Sequence, residues 1–475
     1  MKSDTLPIPR TDAKKNLPEG WVWKKVSDLG EVLTGTTPTK EKKEYYDSKD
    51  YPFFKPTDLN EGYYVKKSGD GLSKKGIEEA RLLPSKSILV TCIGATIGKT
   101  GLIRVSGAFN QQINAIIPQK NVLPEFVYFV CISPQFQKSI VDNSSATTLP
   151  ILNKRKFEML TMPIPPLIEQ QKIVEEIEKQ FSRLDEAVAA LKRVRASLKR
   201  YKASVLKAAV EGKLTEEWRK ENPNVEPAEK LLKRILAERK KKWEEKNPSK
   251  KYKEPVSPDT SNLHELPKGW VWATLESVSD ALGGYAFESK KFSISGYQII
   301  KMANVKMSKI NLSQQPSFIS EVKPDIVEKY SLNTGDVIVT LTGTRKKRDY
   351  GYVAVVHSNA KILLNQRLAR LRPYKGLIPK YLEIAMQSEV YRNRFFSYET
   401  GNVGQGNVGM GTVTKEPIAF PPYQEQQKIV EEIESRLSVA EEIEETIDIN
   451  LKRAERLRQA ILKKAFSGRL VEANN

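Results

Sequence analysis

Residues 165–178 read PPLIEQQKIVEEIE, and residues 421–434 read PPYQEQQKIVEEIE. The two blocks lie 256 positions apart, and so do the phrases that close them, LKAAVEGKL from Leu206 and LKKAFSGRL from Leu462. Upstream, LPEGWVW at 17–23 returns as LPKGWVW at 266–272. Such a duplication decides the architecture before any single residue does: the chain is two copies of one module, each a globular part followed by a helix of fixed length. The globular parts have drifted, with 142 positions from Trp23 to Pro165 against 149 from Trp272 to Pro421.

After Pro165 and Pro166, about 45 residues run without Pro or Gly until Gly212, a fitting C-terminal stop for a helix. Apolar residues recur every seven: Ile177, Leu184, Leu191, Leu198 and Val205 make one seam position, with Val174, Phe181, Val188 and Ala209 contributing to the other. That is coiled-coil patterning over about 67 Å. The second helix opens after Pro422, stops near Gly468, and carries Ile433, Ala440, Ile447, Ala454 and Ile461 at the equivalent seam. Both helices are acidic first and basic last, from Glu175, Glu176 and Glu178 to Lys199, Arg200 and Lys202, and from Glu441, Glu442 and Glu444 to Arg456, Arg458 and Lys463. Antiparallel pairing matches opposite signs throughout, whereas parallel pairing sets like against like. Each surface pair is worth only a few tenths of a kcal/mol, so the charges choose direction more than they hold the helices together. The expected fold is α+β: two globular domains joined by two long helices in an antiparallel coiled coil, the halves related by a pseudo-twofold axis.

The expected segments are a flexible tail at 1–16, a first domain at 17–164, the first helix at 165–213, a charged linker at 214–265, a second domain at 266–420, the second helix at 421–470, and a tail at 471–475. The linker has prolines at 223, 227, 248, 255 and 258, which bracket one short helix at 228–246. Within the domains, SILVTCIG at 87–94 and DVIVTLTG at 336–343 are the same strand ending in glycine. AFNQQINAIIP at 108–118 is echoed by LLNQRLARLRP at 363–373.

The net charge of +20 fits contact with a polyanion, because phosphate neutralisation with counterion release supplies most non-specific nucleic-acid affinity. No stretch approaches the roughly 20 apolar residues of a membrane span, and the first residues offer no signal-peptide core, so a cytoplasmic protein is expected. Cys92 and Cys131 are the only cysteines, and His264 and His357 the only histidines. That leaves no disulfide framework, no metal cluster and few general bases.

GATIGKT at 94–100 has three residues between its first Gly and Gly-Lys where a P-loop needs four, and so reads as a glycine turn with Lys99 exposed. GQGNVG at 404–409 spells the dinucleotide fingerprint without the strand before it or the helix after it, and reads as a loop able to approach phosphates. No catalytic triad, paired catalytic carboxylates or adenine-methyltransferase motif is present. The side chains suited to phosphates or base edges are Lys55, Thr57, Asp58, Asn60, Lys66, Lys67, Thr96, Lys99, Gln111 and Gln112 in the first copy. In the second they are Lys301, Asn304, Lys306, Thr344, Arg345, Lys346, Lys347, Arg348, Tyr350, Gln366, Arg367, Gln405 and Asn407. Asn110 and Asn365 share their context and read as structural, as do the GWVW repeats, expected in the core. These residues alone leave open a DNA-reading scaffold and a coiled-coil architectural protein that binds DNA without regard to sequence; a P-loop ATPase ranks behind both.

Taken together, LP-x-GWVW at the head of each domain, the PP…EQQKIVEEIE helix openings, the LKAAVEGKL and LKKAFSGRL endings and the charged segment between the halves resemble the specificity subunit of type I restriction-modification enzymes. The likeness runs from about residue 17 nearly to the end, in the family's own order. It implies two target recognition domains, each reading one half of a bipartite double-stranded DNA site, with the helices setting the spacer. It implies no cofactor in this chain and no catalysis by it. Two modification subunits would bring S-adenosylmethionine and adenine-N6 methylation, and restriction subunits would bring ATP- and Mg-dependent translocation and cleavage.

Overall fold

The computed structural model describes residues 17–145, 149–358, 360–402 and 404–471; the expected tail at 1–16 and all but the first residue of that at 471–475 lie outside them. The chain divides into two compact units, residues 1–193 with 447–475, and residues 194–446.

In the first unit the strand Ile88–Thr91 lies inside a four-stranded antiparallel sheet, ordered Gly30–Thr34, Ile113–Pro118, Ile88–Thr91, Thr100–Leu102. All four of its residues are buried. Successive side chains leave a strand on opposite faces, and here each face has its own core. Ile88 and Val90 pack with Phe126, Val127 and Val130 of the helix Pro124–Cys131, while Leu89 packs with Phe54, Leu59 and Phe109. A strand covered on both faces needs a continuous apolar run, which is what SILVT is. A second sheet holds Tyr51–Phe54 parallel to Gly107–Phe109, flanked by Asp70–Leu72 and Leu82–Leu83.

The second unit repeats this plan. Its sheet runs Ser279–Gly283, Leu368–Pro373, Val337–Thr340, Val353–Val355, and Tyr297–Ile300 lies parallel to Ile362–Leu364 beside it. Val337 and Val339 face one core and Ile338 the other. In each copy the strand carrying the second tryptophan of GWVW pairs antiparallel with the last strand before the long helix, Trp23 opposite Pro163 and Trp272 opposite Ala419.

The long helices are Leu167–Val210 and Tyr423–Ala465. Each is followed by a glycine at positive φ, Gly212 (70°) and Gly468 (69°), the left-handed stop that glycine adopts most readily. At each, a Cβ would strike a proline of the LP-x-GWVW motif, Pro267 at 2.3 Å and Pro18 at 2.1 Å.

Within each unit the helix segments run antiparallel. In the first, Ile177 and Phe181 share a core with Leu462, Ala465 and Phe466, the Arg458 guanidinium lies 4.5 Å over the Phe181 ring, and Arg458 pairs with Asp185. In the second, Val205 and Ala209 pack with Ile429 and Ile433, and Lys202 Nζ meets Glu444 at 2.7 Å. Opposite charges therefore face each other, as the polarity of each helix requires. Of the seam residues Ile177, Val205, Ile433 and Ile447 are buried, while Leu184, Leu191 and Leu198 are half-buried. At Ile461 the buried place passes to Leu462, the drift expected when a helix of 3.6 residues per turn follows a seven-residue repeat.

The charged segment between the halves is more than a tether. Its helix Ala228–Lys246 buries Ala228, Leu231 and Ile235 in the second unit, with Leu231 against Gly376. Trp243 of this helix meets Tyr252 edge-on, and beyond the helix Val256 N–H donates to Glu276 and Thr274 donates to the Val256 carbonyl.

Candidate nucleic-acid interface

The words repeated between the copies are anchors. Trp21 Nε1 donates to Glu169 at 2.9 Å, and Trp270 Nε1 to Glu425 at 2.7 Å. Gln170 Oε1 accepts from Leu123 N–H at 2.9 Å while its Nε2 donates to the Pro165 carbonyl at 3.0 Å. Gln426 makes the same pair of bonds, with Ile378 N–H and the Pro421 carbonyl, at the same distances. Each amide ties the start of a long helix to the start of a domain helix, Pro124–Cys131 or Pro379–Gln387. A buried amide satisfied at both ends fixes orientation, because any other placement leaves polar groups unpaired. Trp21 and Trp270 are core residues as expected, but Trp23 is 43% exposed, so the core reading does not extend to the whole repeat.

Polar and basic side chains that differ between the copies lie at one end of each four-stranded sheet. Register places Thr34, Ile113, Thr91 and Thr100 at that end in the first unit, and Gly283, Leu368, Thr340 and Val353 in the second. The connections leaving this end bring together Thr96 and Lys99 of the glycine turn with Gln111 and Gln112. In the second unit they bring together Thr344, Arg345, Lys346, Lys347 and Arg348 with Gln366, Arg367, Gln405 and Asn407. Another loop closes over the turn in each copy: Ile93 bridges Ile151, and Thr342–Thr344 pairs with Gln405–Asn407.

GATIGKT is a hairpin turn, with Gly98 N–H on the Thr91 carbonyl and Gly94 and Gly98 at positive φ. Thr96 is exposed and Lys99 half-buried. Lys346, Lys347 and Arg348 are exposed at the tip of the second hairpin, where Arg348 lies 4.9 Å from the Phe396 ring. Gln405 and Asn407 are exposed on the neighbouring strand, Asn407 accepting from the Thr342 hydroxyl at 2.9 Å. Gln111 accepts from the Thr37 hydroxyl, and Gln112 accepts from Asn110 Nδ2 at 3.0 Å. Asn110 and Asn365 both accept from the backbone of their own corner, the structural part expected of them.

Three candidates are corrected. Tyr350 is fully buried; its hydroxyl donates to Glu399, and burial followed by that bond pushes its pKa up. It braces the hairpin from inside. Glu399, drawn low by Tyr350 and then by Arg345, also holds the Arg345 guanidinium, so this carboxylate, which sequence reasoning missed, sets the hairpin's shape. Asp58 accepts from Lys55 N–H at 2.7 Å and Gly69 N–H at 2.9 Å; its counterpart Asn304 accepts from Lys301 N–H and donates to the Asn311 and Gln314 carbonyls. Both are committed to holding a turn.

Lys55 lies beside the corner at Asn110 and pairs with Asp70; Lys301 donates to Ser317 at 2.5 Å and lies over Phe292. Thr57 and Asn60 are exposed on the turn that follows, as is Lys306 in the second copy, 5.6 Å from the Tyr352 ring. Lys66 and Lys67 are exposed toward the opposite end of the sheet, where Val65 bridges Ile103.

That opposite end carries a second duplicated feature. In the first unit a groove of 590 Å³ is lined by Lys66, Lys86, Arg104, Gln171, Glu175 and Glu178 among others. Its counterpart in the second unit, 660 Å³, is lined by Gly335, Ile378, Gln427, Val430 and Glu431 among others. Gln171 and Gln427, like Glu175 and Glu431, are identical, exposed and 256 positions apart.

Among the described residues no group of His, Cys, Asp and Glu could hold a metal, and no helix is long and apolar enough to cross a membrane. The family model described as the type I restriction modification DNA specificity domain matches residues 18–199 and again 267–453. The specificity subunit of the type I restriction enzyme EcoKI from Escherichia coli K12 is 25% identical over 467 residues, covering 96% of this chain and 90% of that protein. The corresponding HindI subunit of Haemophilus influenzae is 35% identical over 173 residues, 35% of this chain and 37% of its own. A chain from a solved structure concerned with complex assembly and conformational transition of the type I R-M system shares the fold, with a TM-score of 0.67 at 19% identity over 96% of this chain and 99% of that one. With two copies of the domain spanning most of its length, the chain belongs to the type I restriction-modification DNA specificity family.

Proposed function

We propose that the chain is the non-catalytic specificity subunit of a type I restriction-modification complex, each domain reading one half of a bipartite DNA site and the paired helices setting the spacing. One observation carries this reading: two copies of one sheet present different polar and basic side chains at the same end, on a framework whose shared Trp21/Trp270 and Gln170/Gln426 are buried anchors. That is the division of labour expected when two readers discriminate different sequences. The excess of positive charge supplies the sequence-independent part of binding.

The duplicated grooves support two copies of one partner, since a repeated surface asks for a repeated occupant; we assign them to the two modification subunits. S-adenosylmethionine and adenine methylation would reside there, and ATP- and Mg-dependent cleavage with restriction subunits. The test is to express the chain with its modification subunits and map methylated adenines across a genome. A bipartite motif with a fixed spacer is the expected result; protein that binds DNA but directs methylation to no motif would leave only the architectural reading.

A further inference from the structure

Arg367 sits at the corner joining the strands Ile362–Leu364 and Leu368–Pro373, where backbone hydrogen bonds hold the turn. Its carbonyl accepts from Leu341 N–H at 2.9 Å, the Asn365 carbonyl accepts from Leu368 N–H, and Gln366 N–H donates to the Tyr285 carbonyl at 2.8 Å. The first copy builds the same frame, with the Gln112 carbonyl accepting from Cys92 N–H at 2.7 Å and the Asn110 carbonyl from Ile113 N–H at 3.1 Å. In each copy a neighbouring loop approaches the corner so closely that only glycine fits: a Cβ on Gly284 would lie 1.9 Å from the Asn365 carbonyl oxygen, and one on Gly35 2.1 Å from that of Asn110.

After the shared Asn-Gln of this corner, Gln112 in the first copy is Arg367 in the second, and only the second holds a positive φ. Arg367 is exposed and holds φ at +71°, a conformation that disfavours any side chain. Its guanidinium makes no hydrogen bond, ion pair or ring contact among the described residues. The neighbouring arginines are all engaged, Arg345 with Glu399, Arg348 on Phe396, Arg370 with Asp280 and Arg372 with Asp336. Nothing within the fold accounts for an arginine in a strained, solvent-facing place where glycine would sit more easily.

We propose that Arg367 reads a guanine in the half-site served by the second domain. A guanidinium fork matches the O6 and N7 acceptors of guanine in the major groove, and the amide of glutamine matches adenine in the same way. The residue at this corner is then the element by which one frame selects different bases in its two copies. The inference rests on the specificity reading above and deepens it.

The test compares the methylation motif of the wild-type complex with those of Arg367→Gln and Arg367→Gly. Glycine relieves the backbone strain, so an unchanged or raised melting temperature for Arg367→Gly separates lost reading from lost folding. One guanine in one half-site should relax, by roughly ten- to a hundred-fold in discrimination, with the other half-site untouched and with Arg367→Gln leaning toward adenine. An unchanged motif in both variants overturns the inference. So does a uniform loss of methylation at every sequence with the motif intact, the mark of a phosphate contact. A wild-type complex without a bipartite motif would sink the specificity reading itself, and this inference with it.

Discussion

The indole of Trp270 donates to Glu425, a carboxylate only 1% exposed, and Thr215 Oγ1 donates to the same group at 2.7 Å while Arg219 pairs with it. Its counterpart Glu169 is half-buried, with Trp21 as its partner. Removing a buried acceptor strands its donors, so Glu425→Ala should cost about 3 kcal/mol and Glu169→Ala about 1 kcal/mol. Two units need not unfold together, which makes segment-resolved hydrogen exchange the right measurement. Protection should fall around residues 215–221 in the first variant; equal losses in both would contradict the ranking.

Burial pushes the Cys92 thiol up to about 12 and that of Cys131 higher still. At pH 8 native thiols should therefore ignore Ellman's reagent, and both should react in guanidinium. A group whose pKa is raised by folding leaves stability intact below its unfolded value, about 8.5 for a thiol, and removes it as the pH climbs toward the folded one. The first unit should accordingly lose about 1.4 kcal/mol per pH unit for each thiol above pH 9. Tyr128, pushed up to about 12 by burial, adds to that loss above pH 10. Flat stability between pH 9 and 11 would rule out buried protonated thiols.

Lys346 and Lys347 stand exposed at the tip of a hairpin whose shape is held from below by Glu399. If they meet phosphates, replacing both with alanine weakens binding to every sequence alike and lowers the salt slope by about 2. Fluorescence anisotropy over a range of salt, on cognate and random duplexes, gives both quantities. A change of motif at constant salt slope would instead make them base readers.

The heptads and charge polarity made the helices legible, because both signals survive without knowledge of the domains. Asp58 and Asn304 show where legibility stopped: the polar atoms that would meet a base edge are the same ones that cap a turn, and composition cannot say which partner takes them. Tyr350, among basic residues, reads as a DNA contact, yet its ring is buried. The helix Ala228–Lys246 reads only as part of a charged linker, because Ala228, Leu231 and Ile235 are a thin stripe among Lys and Glu, yet that stripe is buried. Arg367 was visible only as one polar residue among many; its strain and its lack of partners are facts of three dimensions.

Glu175 and Glu431 extend the duplication to the surface, each exposed on the first turns of its helix and each lining a groove against its own domain. Exposed carboxylates contribute little to stability, so reversing them to lysine should leave the fold intact. At an interface with a complementary partner the same change places like charges together, which costs several kcal/mol. Glu175→Lys or Glu431→Lys alone should therefore release one of two modification subunits, and the double variant both, as read by native mass spectrometry of the co-expressed complex. DNA binding by the free chain should persist, since the loops proposed to read DNA lie at the other end of each sheet. Full assembly of the double variant would remove the grooves from the docking surface.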